Sequence, residues 1–146
     1  MPSQCSVFRI VTHYNNLSLN SANDVIISCN DQSMCFTDSQ YGFMQIFHYC
    51  QPQLDNNVYG SDINEDFQIL VNNLVKPDGI GVYPEETILY VIDNGCTVAN
   101  GSINSHVPCA IYSHQIYRQP YKHIHFYNKR LLTRVQSRIP DEIKVD

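Results

Sequence analysis

The sequence predicts a mainly β (α+β) fold: an antiparallel sandwich or barrel-like sheet of about seven to nine short strands. One covering helix is expected near 62–76 and a second, C-terminal helix near 128–139, with a strand as the alternative for the latter. Three observations carry this reading. Tyr is abundant (10 residues) and Trp is absent, and Tyr, Val, Ile and Phe favour pleated, half-buried surfaces. The strong helix formers Ala, Lys and Glu are scarce. Turn signals recur at a spacing of roughly 8–12 residues, which suits short antiparallel strands.

Size and composition fit a folded domain. A chain of 146 residues can bury about 70% of the surface its unfolded form exposes. With 43% hydrophobic and 16% charged residues, it is too apolar for a disordered chain. No internal repeat stands out, so 1–146 reads as a single domain.

The elements follow in order. Cys5–His13 reads as a first strand and Asn15–Asn23 as a loop. Asp24–Cys29 and Met34–Thr37 are apolar runs joined by hairpin chemistry at Asn30–Ser33. Gly42–Cys50 looks like a longer strand, and Gln51–Ser61 turns polar. Asp62 then caps a helix whose Phe67, Leu70, Val71 and Leu74 share one face, stopped by Pro77. Asp78–Pro84 reads as a loop. Thr87–Ile92 is a strand closed by Asp93-Asn94-Gly95, and Cys96–Ala99 would pair back on it. Val107–Tyr112 and His123–Tyr127 are further strands. Asn128 would cap the last helix, with Leu131, Leu132, Val135 and Ile139 on one side.

No apolar run approaches the roughly 18 residues of a spanning helix, and Cys5, Ser6 and Arg9 interrupt the N-terminus where a signal peptide would be apolar. The expectation is a cytoplasmic or nuclear protein, with no membrane contact and six cysteines as free thiols.

Charge is unevenly spread. Residues 1–117 hold Arg9 and Lys76 against eleven acids, whereas residues 118–146 hold seven cations against three acids. Such a split points to a partner. Arg118, Lys122, Lys129, Arg130, Arg134 and Arg138 form the candidate partner-binding set, with an acidic protein as the expected partner. Tyr117, Tyr121, Phe126 and Tyr127 lie among these cations, so single-stranded RNA is the alternative nucleic-acid partner.

His123-Ile124-His125 is the sharpest local motif. Residues two apart on a strand share a face, so both imidazoles could reach one divalent metal ion. The run Arg118-Gln119-Pro120-Tyr121-Lys122-His123-Ile124-His125-Phe126 resembles the histidine-ligand segment of intradiol aromatic-ring dioxygenases, which implies an iron site completed by tyrosines. The family sets its arginine and proline closer to the first histidine, and position 110 is alanine where a tyrosine would fall. An alternating strand with both histidines toward solvent is therefore preferred. Ile124-His125-Phe126-Tyr127, with Lys129, is similar to a segment of small immunoglobulin-like coronavirus accessory proteins, although there it lies early in the chain. His106 and Cys109, with Cys96 and His114, offer zinc ligand types without a usual spacing. Glu85-Glu86 reads as solvated surface. No nucleophile elbow or phosphate-binding loop is present.

No catalytic constellation emerges. The expected function is a non-catalytic protein-binding module, a small viral accessory protein engaging a host defence or signalling partner through its basic C-terminal segment, without a cofactor. The alternatives are a small metal-dependent enzyme using His123 and His125, and a single-stranded RNA-binding domain.

Overall fold

The computed structural model describes residues 9–28, 33–46, 50–61, 67–98, 102–104, 106–107, 109–118, 124–135 and 139–145. It is mainly β, with antiparallel sheets and almost no helix. A two-residue ladder pairs β1 (His13–Tyr14) with β2 (Leu17–Ser18). Asn15 and Asn16 both have positive φ, 48° and 65°, the twist a two-residue hairpin turn requires and Asn tolerates.

Two four-stranded meanders follow. The first joins β3 (Ala22–Ile27), β4 (Met34–Asp38), β5 (Asn57–Ser61) and β6 (Phe67–Val71) in sequence order. The second joins β7 (Pro77–Val82), β8 (Ile88–Asp93), β9 (Cys109–Arg118) and β10 (Ile124–Val135), again in sequence order. A single helical turn, α1 (Tyr41–Met44), follows β4.

The sheets pack face to face, with β3 and β4 against β7 and β6 against β10. Cys35, Val58, Val71, Leu74, Ile80, Leu89 and Val91 are buried between them, and Ile26, Leu70, Tyr112, Ile116 and Phe126 close the layer. Each such aliphatic side chain contributes roughly 1.5–3 kcal/mol on burial. The opposite face of the first sheet carries Phe36 stacked on Tyr59, with ring centroids 5.6 Å apart, and Tyr14 beside Tyr59 at 5.1 Å.

The two meanders are built by one device. The Asp38 carboxylate, at the end of β4, accepts from the Asn20 and Ser21 N–H groups at 3.0 and 2.7 Å. Asp93, at the end of β8, accepts from the Val75 and Lys76 N–H groups. Each aspartate thus clamps the two residues that lie just before the first strand of its own sheet. Both carboxylates are buried, a position tolerable only with charge-assisted hydrogen bonds of this kind.

This equivalence uncovers a repeat that reading the sequence missed. Ala22-Asn23-Asp24-Val25-Ile26-Ile27 matches Pro77-Asp78-Gly79-Ile80-Gly81-Val82, and both match Pro140-Asp141-Glu142-Ile143-Lys144-Val145. The third copy lies along β7. A Cβ on Gly79 would meet the Asp141 carbonyl oxygen, and one on Gly81 would come within 3.0 Å of Ile143. The two glycines, which suggested a loop over 78–84, are what lets that segment pack so closely on a strand.

Both predicted helices are strands. In place of the helix near 62–76 stands β6, residues 62–66 lying outside the described set. Its register slips so that Val58 pairs with Val71 and Tyr59 with Ile69. That bulge changes the phase of alternation and gives strand residues a helix-like apolar spacing. The same reason holds near 128–139, where β10 runs to Val135 with irregularities at Tyr127/Arg130 and Leu131/Thr133, and Asn128 has φ 55°. Conversely, the strand expected over Gly42–Cys50 begins as α1, and the polar stretch Gln51–Ser61 ends in β5. Of the strand expected over Cys96–Ala99, the described residues Cys96–Val98 form none; Thr97 makes an isolated bridge to Ile103, and Ala99 lies outside the described residues.

Cys96 and Cys109 are joined in a disulfide, with Cα atoms 5.0 Å apart. Neither is therefore the free thiol expected, and the pair is not available as zinc ligands. Cys35 is buried and Cys50 is exposed. Among the described residues no helix is long and apolar enough to cross a membrane.

Candidate functional site

The clearest concentration of buried polar chemistry lies where β3 and β7, the first strands of the two sheets, begin. Asp78 is the second residue of β7 and is buried. Its Oδ1 accepts from Asn23 Nδ2 of β3, and its Oδ2 accepts from Asn94 Nδ2 at 2.6 Å. Asn94, which follows β8, also donates to the Pro140 carbonyl at 2.7 Å. Asn94 is fully buried, and its Oδ1 has no hydrogen-bond partner among the described residues. The Thr37 hydroxyl accepts from the Asp24 N–H at 3.1 Å and donates to the Asp78 carbonyl at 2.8 Å. Asp24 Oδ2 accepts from the Ile80 N–H at 2.9 Å. One threonine and one aspartate thus lock β3 to β7 and fix the height of Asp78.

Burial pushes the Asp78 carboxyl up to about 6, and the nearby charges of Asp141 and Asp24 push the same way against the hydrogen bonds from Asn94 and Asn23. Such a carboxyl exchanges protons near neutrality, the range useful for acid–base work. Tyr41 of α1 stands close by. Burial raises its phenol to about 12, with Asp78 and Asp93 adding to the rise and Thr97 and Asn94 opposing it. Its hydroxyl makes no hydrogen bond of good geometry. A separate open cleft of about 500 Å³ is lined among others by His13, Ser18, Asn20, Ser21, Cys50 and Gln51, and not by Asp78 or its amide partners. Asn20, on its wall, donates to the Leu54 carbonyl at 2.9 Å.

The repeat places Asn23, Asp78 and Asp141 at equivalent positions of successive segments. None of the three was singled out from the sequence, where Asp78 fell in an expected loop. The signal that would have found them is the recurring pattern of a small residue or Pro, then Asn or Asp, then alternating aliphatic positions.

The residues singled out from the sequence lie elsewhere. His123 is outside the described residues. His125 belongs to β10, opposite Tyr117, and β10 is three strand spacings from β7, about 14 Å. Arg118 ends β9, while Lys122 and Arg138 are outside the described residues. Lys129, Arg130 and Arg134 share the edge strand β10. Lys129 is used internally: its Nζ donates to the Asn73 carbonyl at 3.2 Å and sits 4.2 Å from the centre of the Tyr112 ring. Arg130 Nε donates to Asn128 Oδ1 at 3.4 Å. Glu86 is buried, with φ 52°, and accepts from the Ser28 hydroxyl at 2.7 Å, so it is not the solvated surface expected of it. Among the described residues no three His, Cys, Asp or Glu side chains gather as a metal site.

No protein-family profile matches the chain, and no curated protein does. Similar solved structures include two of gluconolactonase description. One, of a candidate gluconolactonase, has 21% sequence identity and a TM-score of 0.69, covering 94% of this chain and 42% of that one. The other, a gluconolactonase from Xanthomonas campestris described as important in glucose secondary metabolic pathways, has 24% identity and a TM-score of 0.68, covering 90% and 40%. The chain spans about two fifths of either neighbour. At these identities the likeness establishes the fold. It also overturns the expectation of a non-catalytic viral accessory protein acting on a host partner, because the fold is shared with proteins described as enzymes.

Proposed function

We propose that this chain carries part of the active site of a hydrolase for cyclic esters of sugar acids, centred on Asp78. The observation that supports the reading best is the convergence of Asn23, Asn94 and the neighbouring Asp141 on a buried carboxyl held near neutrality. The two similar structures described as gluconolactonases supply the substrate class.

Opening a lactone requires a water to lose a proton as it attacks the ring carbonyl, and the departing ring oxygen to gain one. A carboxyl with a pKa of about 6 can take the first proton as its carboxylate and return it as its acid. Asn23 and Asn94 hold that carboxyl through one oxygen each, which fixes the direction of its lone pairs.

The donor set also fits a hard divalent cation. Asp78 and Asp141 offer carboxylate oxygens, and Asn23 and Asn94 offer carboxamide oxygens after a half turn of each amide, Asn94 already having a buried Oδ1 without a partner. Bound there, such a cation would hold Asp78 as its carboxylate and polarise a carbonyl oxygen as a Lewis acid, in place of the proton shuttle described above.

Calorimetric titration of the chain with Ca²⁺, Mn²⁺ and Zn²⁺, beside an assay of gluconolactone opening, tests this reading. Binding that is lost in Asp78→Ala and Asp141→Ala, together with lactone opening above the spontaneous rate, is the expected result. Spontaneous rates only, with no cation bound, would overturn it.

A further inference from the structure

The first two copies of the repeat share a partner strand of one kind. β3 and β7 each pair antiparallel with the strand that follows, in the same register: Ala22 lies opposite Asp38, and Pro77 opposite Asp93. In both, the opposing aspartate accepts from the N–H groups of the two preceding residues, Asn20 and Ser21 or Val75 and Lys76. In the third copy Pro140 holds the place of Ala22 and Pro77, and Arg138 and Ile139 hold the places of the clamped pair, Arg138 lying outside the described residues. The segment sits as a first strand does. It packs along Gly79 and Gly81, and the Asn94 side chain donates to the Pro140 carbonyl. Among the described residues, however, no strand pairs with 139–145 and no backbone–backbone hydrogen bond is made there.

We propose that 139–145 is a docking edge for an antiparallel strand of a partner polypeptide, largely apolar and closed by an aspartate. The occupant is read from the two precedents: Met34–Asp38, of 5 residues, and Ile88–Asp93, of 6, lie on the corresponding edges and end in the clamp. The incoming aspartate stands opposite Pro140 and accepts from the Ile139 N–H, a charge-assisted bond. Main-chain bonds along an open edge supply the affinity, as in strand addition generally, and the aspartate fixes the register. Pro140 is no obstacle, because Pro77 occupies the same place as the first residue of β7. The inference does not rest on the chemistry proposed for Asp78.

The probe is a fluorescent peptide with the sequence of Thr87–Asn94, preceded by two lysines for solubility, titrated into the full chain and followed by anisotropy. Hydrogen exchange locates the bound peptide, and a second peptide carries Asp93→Asn. Saturable binding with slower exchange over 139–145 is expected, weakened about tenfold or more for the asparagine peptide. Lys144→Pro is the variant on the protein side. Lys144 matches Gly81, whose neighbour Ile80 turns its N–H away from β8 to Asp24. Alternation along the strand therefore directs the N–H at 81, and its equivalent at 144, toward the partner strand, and proline removes that donor. Lys144 is exposed, and circular dichroism checks the fold; Glu142→Pro takes its place if Lys144→Pro does not fold. Binding is expected to be lost in the proline variant and kept in Lys144→Ala. No binding, protection of β6 or β10 in place of 139–145, equal affinity for the two peptides, or binding indifferent to the proline would each overturn the proposal.

Discussion

Asn23 donates its side-chain amide to the carboxylate of Asp78, the residue that stands in its own place in the next copy of the repeat. A contact between equivalent positions is what two similar sheets produce when their first strands lie side by side. It gathers polar groups at one end of the molecule without any of them being close in sequence.

The pH dependence of stability carries the mark of this site. The Asp78 carboxyl titrates at about 6 in the folded chain against an ordinary value of 3.8. Between those values the folded form holds the proton more firmly, so this group's contribution is present at low pH and is lost as pH rises through about 6. In Asp78→Asn that contribution disappears. Thermal melts from pH 4 to pH 7 should show a smaller decline in Tm for the variant than for the wild type.

His114 is buried, and burial, helped by the charge of Lys129, lowers its pKa to about 4. The imidazole is neutral at pH 7. Its effect runs opposite to that of Asp78: the unfolded chain binds the proton more readily, so stability is lost as pH falls from about 6.5 toward 4. In an NMR titration the His114 ring signals should stay at their neutral positions until pH approaches 4. Titration near 6.5 would contradict the burial seen here.

The two clamping aspartates should be equally intolerant of truncation. Asp38→Ala and Asp93→Ala each leave two backbone N–H groups without their carboxylate, at a cost of about 2–3 kcal/mol. Urea denaturation of both variants measures this. Similar losses in the two would support their equivalence, and a neutral result in either would refute its role as a clamp.

The Cys96–Cys109 bond closes a loop with a sequence separation of 13. Cross-links around loops of that length contribute about 3 kcal/mol, chiefly by restricting the unfolded chain. The Cys96→Ala/Cys109→Ala double variant should lose about that much in urea denaturation under non-reducing conditions.

Gly79→Ala should act on the C-terminal segment rather than on the sheet. Its new methyl group meets the Asp141 carbonyl and the Ile92 side chain. Faster hydrogen exchange over residues 139–145, with β8 and β9 still protected, is the expected outcome.

Much of the strand content was legible from composition and turn spacing, and β8 was placed within a residue of its bounds. The helices near 62–76 and 128–139 were misread because bulges in β6 and β10 bring apolar residues to a helix-like spacing. The site was illegible for a different reason. Asp78 sits between Pro77 and Gly79, residues that locally signal a turn. Only the long-range pairing of β7 with β8, and the segment packed over the two glycines, make that stretch a strand. The charge asymmetry was real, but it marks an edge strand far from the buried polar cluster.

The meander order of both sheets has a kinetic consequence. Within each sheet every strand pairs only with its neighbours in sequence, so each pairing closes a comparatively short loop and carries a small entropic barrier. A hairpin can form as soon as its second strand leaves the ribosome, and each added strand offers one edge for the next to join. The widest gap between consecutive paired strands lies between Thr37-Asp38 of β4 and Asn57 of β5. Closure of that loop is the step expected to set the folding rate of the first sheet.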